Sequence, residues 1–208
     1  MLTGLRSRGY LHHLTAEGAT YFVTFRLAGS LPREIAASLK ERHDDLLRLA
    51  AAEPQSPDDG ARFQLFTSYA EEVDSLLDRS TGDLWLGRPE IASLVADAIQ
   101  HFAEQRYQLR AWCVMPNHVH AVLRPLGLHT LDSILHSWKS FTANEANRLL
   151  DRRGQPFWQP ESYDHWIRNN AEISYCCHYT EDNPVKAGLC ARPEDWPWSS
   201  ASCRSLPM

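Results

Sequence analysis

Two periodicities organise the chain. Where apolar residues recur every second position, side chains face opposite sides of a strand; where they recur every three or four, they line one face of a helix. Tyr21–Leu27 is aromatic and β-branched, ends in Ala28-Gly29-Ser30, and predicts the first strand. Leu31-Pro32 opens a helix to about Ala52, with proline in the first turn. Pro54–Gly60 is a polar loop, residues 63–78 are helical again, and Ser80-Thr81-Gly82-Asp83 is a break. Arg88–Glu104 forms an amphipathic helix with Ile91, Leu94, Val95, Ala98, Ile99 and Phe102 on one face. A strand at Tyr107–Val114, a turn at Pro116-Asn117 and a strand at 118–124 follow. Residues 131–150 form a long helix, Pro156–Trp166 is irregular or extended and rich in aromatics, and 171–182 is a helix that Asn183-Pro184 ends. The tail, including Trp196-Pro197-Trp198, is a packed extension.

The hairpin connection at Pro116-Asn117 favours α+β: an antiparallel sheet with helices packed on one face. Residues 31–83 then read as a helical insertion after the first strand. A length of 208 residues suits one domain, 1–208, with 190–208 as a C-terminal extension. No apolar run reaches the roughly 18 residues of a membrane span, and the N-terminus has no apolar core of a secretion signal. The five cysteines are odd in number and form no CxxC pair, as in a reduced, cytoplasmic protein. The net charge of −5 is uneven: residues 33–83 hold twelve Asp/Glu and six Lys/Arg, which leaves the remainder about +1. The acidic charge is therefore confined to the insertion, and the remainder carries no strong basic footprint either.

The chemistry concentrates at His118-Val119-His120. On a strand both imidazoles project from one face, about 6–7 Å apart along the chain. Such a pair serves either as two ligands of a metal with open coordination positions or as a buried hydrogen-bonded pair. Tyr175 and Tyr179 share a helix face with Asn183, and spacing alone does not choose between the tyrosines.

Four ordered blocks carry a resemblance. Trp112-Cys113-Val114-Met115-Pro116-Asn117-His118-Val119-His120 resembles the HUH motif, with its leading MPNH, of single-domain tyrosine transposases. Asn183-Pro184-Val185-Lys186-Ala187-Gly188-Leu189, preceded by Tyr179, resembles the helix carrying the catalytic tyrosine of that family. Trp158-Gln159 with Tyr163–Arg168, and Trp196-Pro197-Trp198-Ser199-Ser200, narrow the resemblance to the REP-associated tyrosine transposases. It implies a ferredoxin-like sheet and cleavage and rejoining of single-stranded DNA at repeat-associated hairpins through a 5′-phosphotyrosine. It makes Tyr179 the nucleophile, His118, His120 and Asn183 the ligands of Mg²⁺ or Mn²⁺, and leans to a monomer.

Asn183 is equally placed to cap the helix before Pro184. Lys139, Arg148, Arg152, Arg153, Arg168 and Lys186 are candidate phosphate contacts, Trp158 and Tyr163 candidate stacking surfaces, and Glu161 and His165 candidates for the edge of the site. Two other functions compete: a domesticated binder of repeat hairpins that does not cut, and a metal-dependent hydrolase that needs no tyrosine.

Overall fold

The computed structural model describes residues 2–8, 11–16, 18–52 and 59–204. The chain runs β1 (Leu2–Arg8), β2 (Leu11–Ala16), β3 (Thr20–Arg26), α1 (Arg33–Ala52), α2 (Asp59–Asp78), α3 (Pro89–Gln100), β4 (Tyr107–Val114), β5 (His118–Pro125), α4 (Leu131–Leu149), β6 (Tyr163–Ile167), α5 (Asn170–Lys186) and α6 (Ser200–Arg204). β1 and β2 form a separate antiparallel hairpin. The strand expected to be first is thus the third of the chain. The main sheet has the order β4-β5-β3-β6, antiparallel throughout, which is the ferredoxin-like arrangement.

Alternation along the central strands divides the core. Tyr21, Val23 and Phe25 of β3 with Val119, Ala121 and Leu123 of β5 face α3 and α4 in one apolar cluster. Helices on that face match the expectation. Pro89 opens α3, whose buried stripe Ile91, Val95 and Ile99 enters this layer. Thr130 caps α4 by accepting from the Ser133 N–H at 3.2 Å. The opposite face is covered as well: Phe22, Val122 and Ile167 pack against Phe66 and Ala70 of α2 and Cys176 and Tyr179 of α5. The insertion is therefore a structural layer of the sheet, because its apolar stripe has a whole sheet face to bury.

Three boundaries differ from the sequence expectation. α5 continues through Pro184 to Lys186 instead of stopping at Asp182. Proline deletes one backbone donor, and with less than a turn left the helix tolerates the loss before Gly188, at φ 72°, closes it. Part of the aromatic segment forms the edge strand β6, recruited by pairing with β3. α3 stops at Gln100, short of Glu104. The loop expected at Pro54–Gly60 lies largely outside the described residues. The tail packs as expected: the Trp198 carbonyl accepts from Val114 N at 2.8 Å and Ser200 Oγ from Trp112 N at 3.1 Å, so it covers the free edge of β4. Among the described residues no helix is long and apolar enough to cross a membrane.

Candidate metal and tyrosine site

β5 pairs with β3 so that His120 lies opposite Thr24 and His118 opposite Arg26. Both imidazoles point to the α2/α5 face and are sealed there, at 0% and 1% exposure. Their Nε2 atoms are 3.0 Å apart. Their outer nitrogens are held by neighbours. Asn117 Nδ2 donates to the Leu77 carbonyl at 2.8 Å, which turns Asn117 Oδ1 toward His118 Nδ1 at 2.7 Å. An amide oxygen only accepts, so His118 carries its proton on Nδ1 and presents a lone pair at Nε2. His120 Nδ1 lies 2.8 Å from Thr24 Oγ1, a hydroxyl that can donate or accept and so suits either tautomer. An imidazole whose second nitrogen is anchored in this way is a typical metal ligand. Burial first, then the neighbouring His120, pushes His118 down to about 3, so it is neutral at pH 7.

The third member of the cluster was not anticipated. Asp74 of α2 places Oδ2 3.3 Å from His120 Nε2 and Oδ1 3.9 Å from His118 Nε2. Asp74, His118 and His120 form a buried group able to hold a metal ion. Two imidazoles and one carboxylate are a donor set that would suit a divalent cation with further ligands still to be supplied. The sequence did carry a faint signal. Asp74 continues the spacing Phe66, Ala70 along the buried face of α2, a carboxylate where the pattern calls for an apolar residue. The charge density of the insertion masked it.

α5 brings the tyrosine. The Tyr179 hydroxyl donates to Asp74 Oδ2, and Asn183 Nδ2 donates to the same oxygen at 2.8 Å. Phe22 packs beside both groups, its ring 5.4 Å from that of His120 and 5.8 Å from that of Tyr179, which are 6.0 Å from each other. Tyr175, on the same helix face, instead packs edge-on to Phe63 at 5.1 Å. Asn183 was the expected third ligand. In the structure it turns its amide nitrogen to Asp74, and the carboxylate joins the two imidazoles. Asn183 Oδ1 is buried without a hydrogen-bond partner among the described residues.

The charges are strongly coupled. Burial alone would raise the Asp74 carboxyl, but His120, His118 and the Tyr179 hydrogen bond together hold it well below the usual carboxylate range. Burial and the facing Asp74 carboxylate push the Tyr179 phenol far above its ordinary value of 10. As it stands, Tyr179 is a protonated hydrogen-bond donor.

The expected DNA contacts separate into two groups. Lys139 is turned inward, donating to the Gln159 and Pro160 carbonyls at 2.7 and 2.8 Å and to Ser162 Oγ at 3.2 Å, and burial lowers it to about 8. Trp158 is core: it is 7% exposed, and its Nε1 donates to Thr142 Oγ1 at 2.9 Å. Tyr163 packs between His43, Phe66 and Tyr69. These three were expected at the DNA surface from residue type; the structure engages the Lys139 ammonium with three oxygens and packs the Trp158 and Tyr163 rings. Arg152 lies over the Trp85 ring and Arg168 over Trp166. Arg148, paired with Glu145, and Arg153 are exposed. Lys186 is exposed at its backbone turn and places Nζ 4.3 Å from the Tyr179 ring centre. His165 stacks on Phe66 at 3.8 Å and faces Glu172 at 3.5 Å, while Glu161 lies on the rim of a neighbouring cleft.

No protein-family model matches the chain. Over 98 residues it is 28% identical to the REP-associated tyrosine transposase of Escherichia coli (strain K12), an alignment covering 47% of this chain and 56% of that protein. The chain thus spans little more than half the length of that relative. A Haemophilus influenzae protein is 24% identical over 123 residues, covering 53% of this chain and 66% of its own. Among solved structures, a REP-associated tyrosine transposase bound to a REP hairpin superposes with a TM-score of 0.50 at 18% identity, covering 99% of this chain and 89% of that one. The chain is therefore similar to REP-associated tyrosine transposases in sequence, and it shares their α+β fold.

Proposed function

We propose that the chain cleaves and rejoins single-stranded DNA at repeat-associated hairpins, with Tyr179 as nucleophile and a divalent cation, Mg²⁺ or Mn²⁺, at Asp74, His118 and His120. The observation that carries this reading is one shared atom: Asp74 Oδ2 accepts from the Tyr179 hydroxyl and also faces the imidazole pair. A nucleophile and a metal-ligand set from three distant segments thus meet at a single carboxylate. In this proposal the protein works as a monomer of one domain in the cytoplasm, with Asp74, His118, His120 and Tyr179 all drawn from the same chain.

The chain's own residues then have defined tasks. The Tyr179 oxygen attacks phosphorus and displaces the 3′ oxygen of the preceding nucleotide, leaving a 5′-phosphotyrosine and a 3′-hydroxyl. The phenol proton has Asp74 as its nearest acceptor on the way to the departing oxygen. Phenolate is a better leaving group than an alkoxide, so a 3′-hydroxyl can reverse the step and join strands without an external energy source. When bound, a divalent cation supplies polarisation of the phosphate and offsets the carboxylate charge that keeps the Tyr179 phenol protonated. Asn117 and Thr24 hold the imidazole rings in their ligating orientation. Asn183 fixes the Asp74 carboxylate on the α5 side. The cluster is nearly closed to solvent, so the scissile phosphate reaches Tyr179 only when one of the covering helices, α2 or α5, shifts.

A denaturing gel tests this reading. The protein is incubated with labelled single-stranded hairpin DNA and Mn²⁺. The expected result is a covalent protein–DNA adduct that is lost in Tyr179→Phe and retained in Tyr175→Phe. Cleavage without any adduct would make the protein a metal-dependent hydrolase. A native-gel shift without cleavage would make it a hairpin binder.

A further inference from the structure

Beside the cluster, on the same face of the sheet, a cleft of about 70 Å³ opens between β3, β6 and α1. Thr24 and Val73 form its inner wall. Thr24 is the residue bonded to His120, and Val73 immediately precedes Asp74, so one layer of side chains separates cleft from cluster. Its charged and imidazole lining is Arg26, Lys40, His43 and Glu161. Arg26 lies directly across the strand pair from His118, on the same face, which places the two Cβ atoms about 5 Å apart.

Charge and size both indicate an anion. Lys139 stands just behind the wall, holding the lining residues Gln159 and Ser162. Arg26 and Lys40 line the cleft together with one carboxylate, Glu161. Arg26 is in no ion pair among the described residues, and one of its N–H groups donates to Ser30 Oγ at 3.1 Å. Burial lowers Arg26, and a bound anion would relieve that cost. At 10–15 Å³ per water the cleft holds about five to seven waters, room for a phosphate group. A planar guanidinium that offers paired donors is well matched to two phosphate oxygens.

We propose that this cleft is a backbone-phosphate subsite, in which Arg26 and Lys40 hold the phosphate next along the single strand from the one Tyr179 attacks. The inference rests on the DNA-cleaving reading and adds to it the side on which the flanking strand leaves the site. Glu161, on the rim, disfavours a second phosphate and ends the subsite at one.

The test uses Tyr179→Phe protein, which cannot turn over, and a fluorescent hairpin with a single-stranded flank, read by anisotropy across a salt series. Adding Arg26→Gln or Lys40→Gln should weaken binding roughly tenfold. Each should lower the slope of log affinity against log salt by about one, as loss of one phosphate contact does. Arg26→Lys should keep the slope and lose part of the affinity, and Arg192→Gln in the tail should change neither. Lys40→Gln, on a helix that does not belong to the sheet, guards against misfolding of the Arg26 variant. Unchanged affinity and slope in both Gln variants, alongside good binding by the parent, would overturn the subsite and leave the DNA reading standing. Weaker binding at an unchanged slope would assign Arg26 to packing and also overturn it. No binding by the parent, together with no adduct from the wild type, would remove both.

Discussion

Asp74→Asn isolates the carboxylate on which the site turns. The substitution is isosteric: the amide oxygen can still accept from Tyr179 and Asn183, and the amide nitrogen can face the lone pair of His118 Nε2. Two charge-assisted hydrogen bonds become ordinary ones, a loss of about 1 kcal/mol each, offset by removing a buried charge. Stability without metal should therefore change by less than about 2 kcal/mol. Metal binding should change far more, because the anionic member of a three-residue set is gone. Removing even a partner that only orients a ligand costs about 10–100-fold in metal affinity. At a free Mn²⁺ concentration 100 times the wild-type Kd, the ion stabilises the fold by about 2.7 kcal/mol. A chain of this size gains about 2–4 °C in Tm per kcal/mol, so the wild type should rise by roughly 5–11 °C. A tenfold weaker site retains about 1.4 kcal/mol and a hundredfold weaker one about 0.4, equivalent to rises of roughly 3–6 °C and about 1 °C. Thermal unfolding of both proteins in chelator and in Mn²⁺ measures this directly. Equal rises in the two proteins would refute Asp74 as a ligand and return the third position to Asn183.

Further outcomes follow from the same geometry. Asn117→Ala removes the acceptor that keeps the His118 proton on Nδ1, and it should cost about 1–3 kcal/mol in stability and 10–100-fold in metal affinity, read by urea unfolding and by metal titration. His118 is held at about 3 against an ordinary 6.5, so the unfolded chain binds more protons across that window and stability falls as pH drops through 6.5. Between pH 7 and pH 5 in chelator the loss should be about 2 kcal/mol, absent in His118→Asn; an equal loss in that variant would assign the acid sensitivity elsewhere. Lys139→Met should destabilise by roughly 1–3 kcal/mol while leaving the salt dependence of DNA binding unchanged, since its ammonium is spent on Gln159, Pro160 and Ser162; a reduced salt slope would restore it as a phosphate contact.

Much of the site was legible from short-range pattern. His118 and His120 are two apart on a strand, so any sheet that buries one face presents both together. Tyr179 and Asn183 are four apart on a helix, so whatever receives one receives the other. Strands β3, β4 and β5 and the helices α3 and α4 follow from hydrophobic periods of two and 3.6, whereas β6 does not. Arg26, by contrast, is an unremarkable end of a strand until its partner across the ladder proves to be His118.

The residues whose setting the sequence did not reveal share one physical cause: their type describes what a side chain can do, and only burial decides which part of it is used. Lys139 and Trp158 have the charge and the ring of DNA contacts, yet folding spends the ammonium on three oxygens and the indole on the core. Asp74 is the converse, a carboxylate in an acidic segment whose period along α2 points it inward, 44 residues before His118 in the chain. The amino-acid sequence determined the local geometry of this protein, the paired imidazoles and the tyrosine with its asparagine, because strand and helix periods act over a few residues. The docking of α2 against the sheet decided which carboxylate joins them, because bringing distant segments together depends on the burial of whole faces that no local pattern encodes.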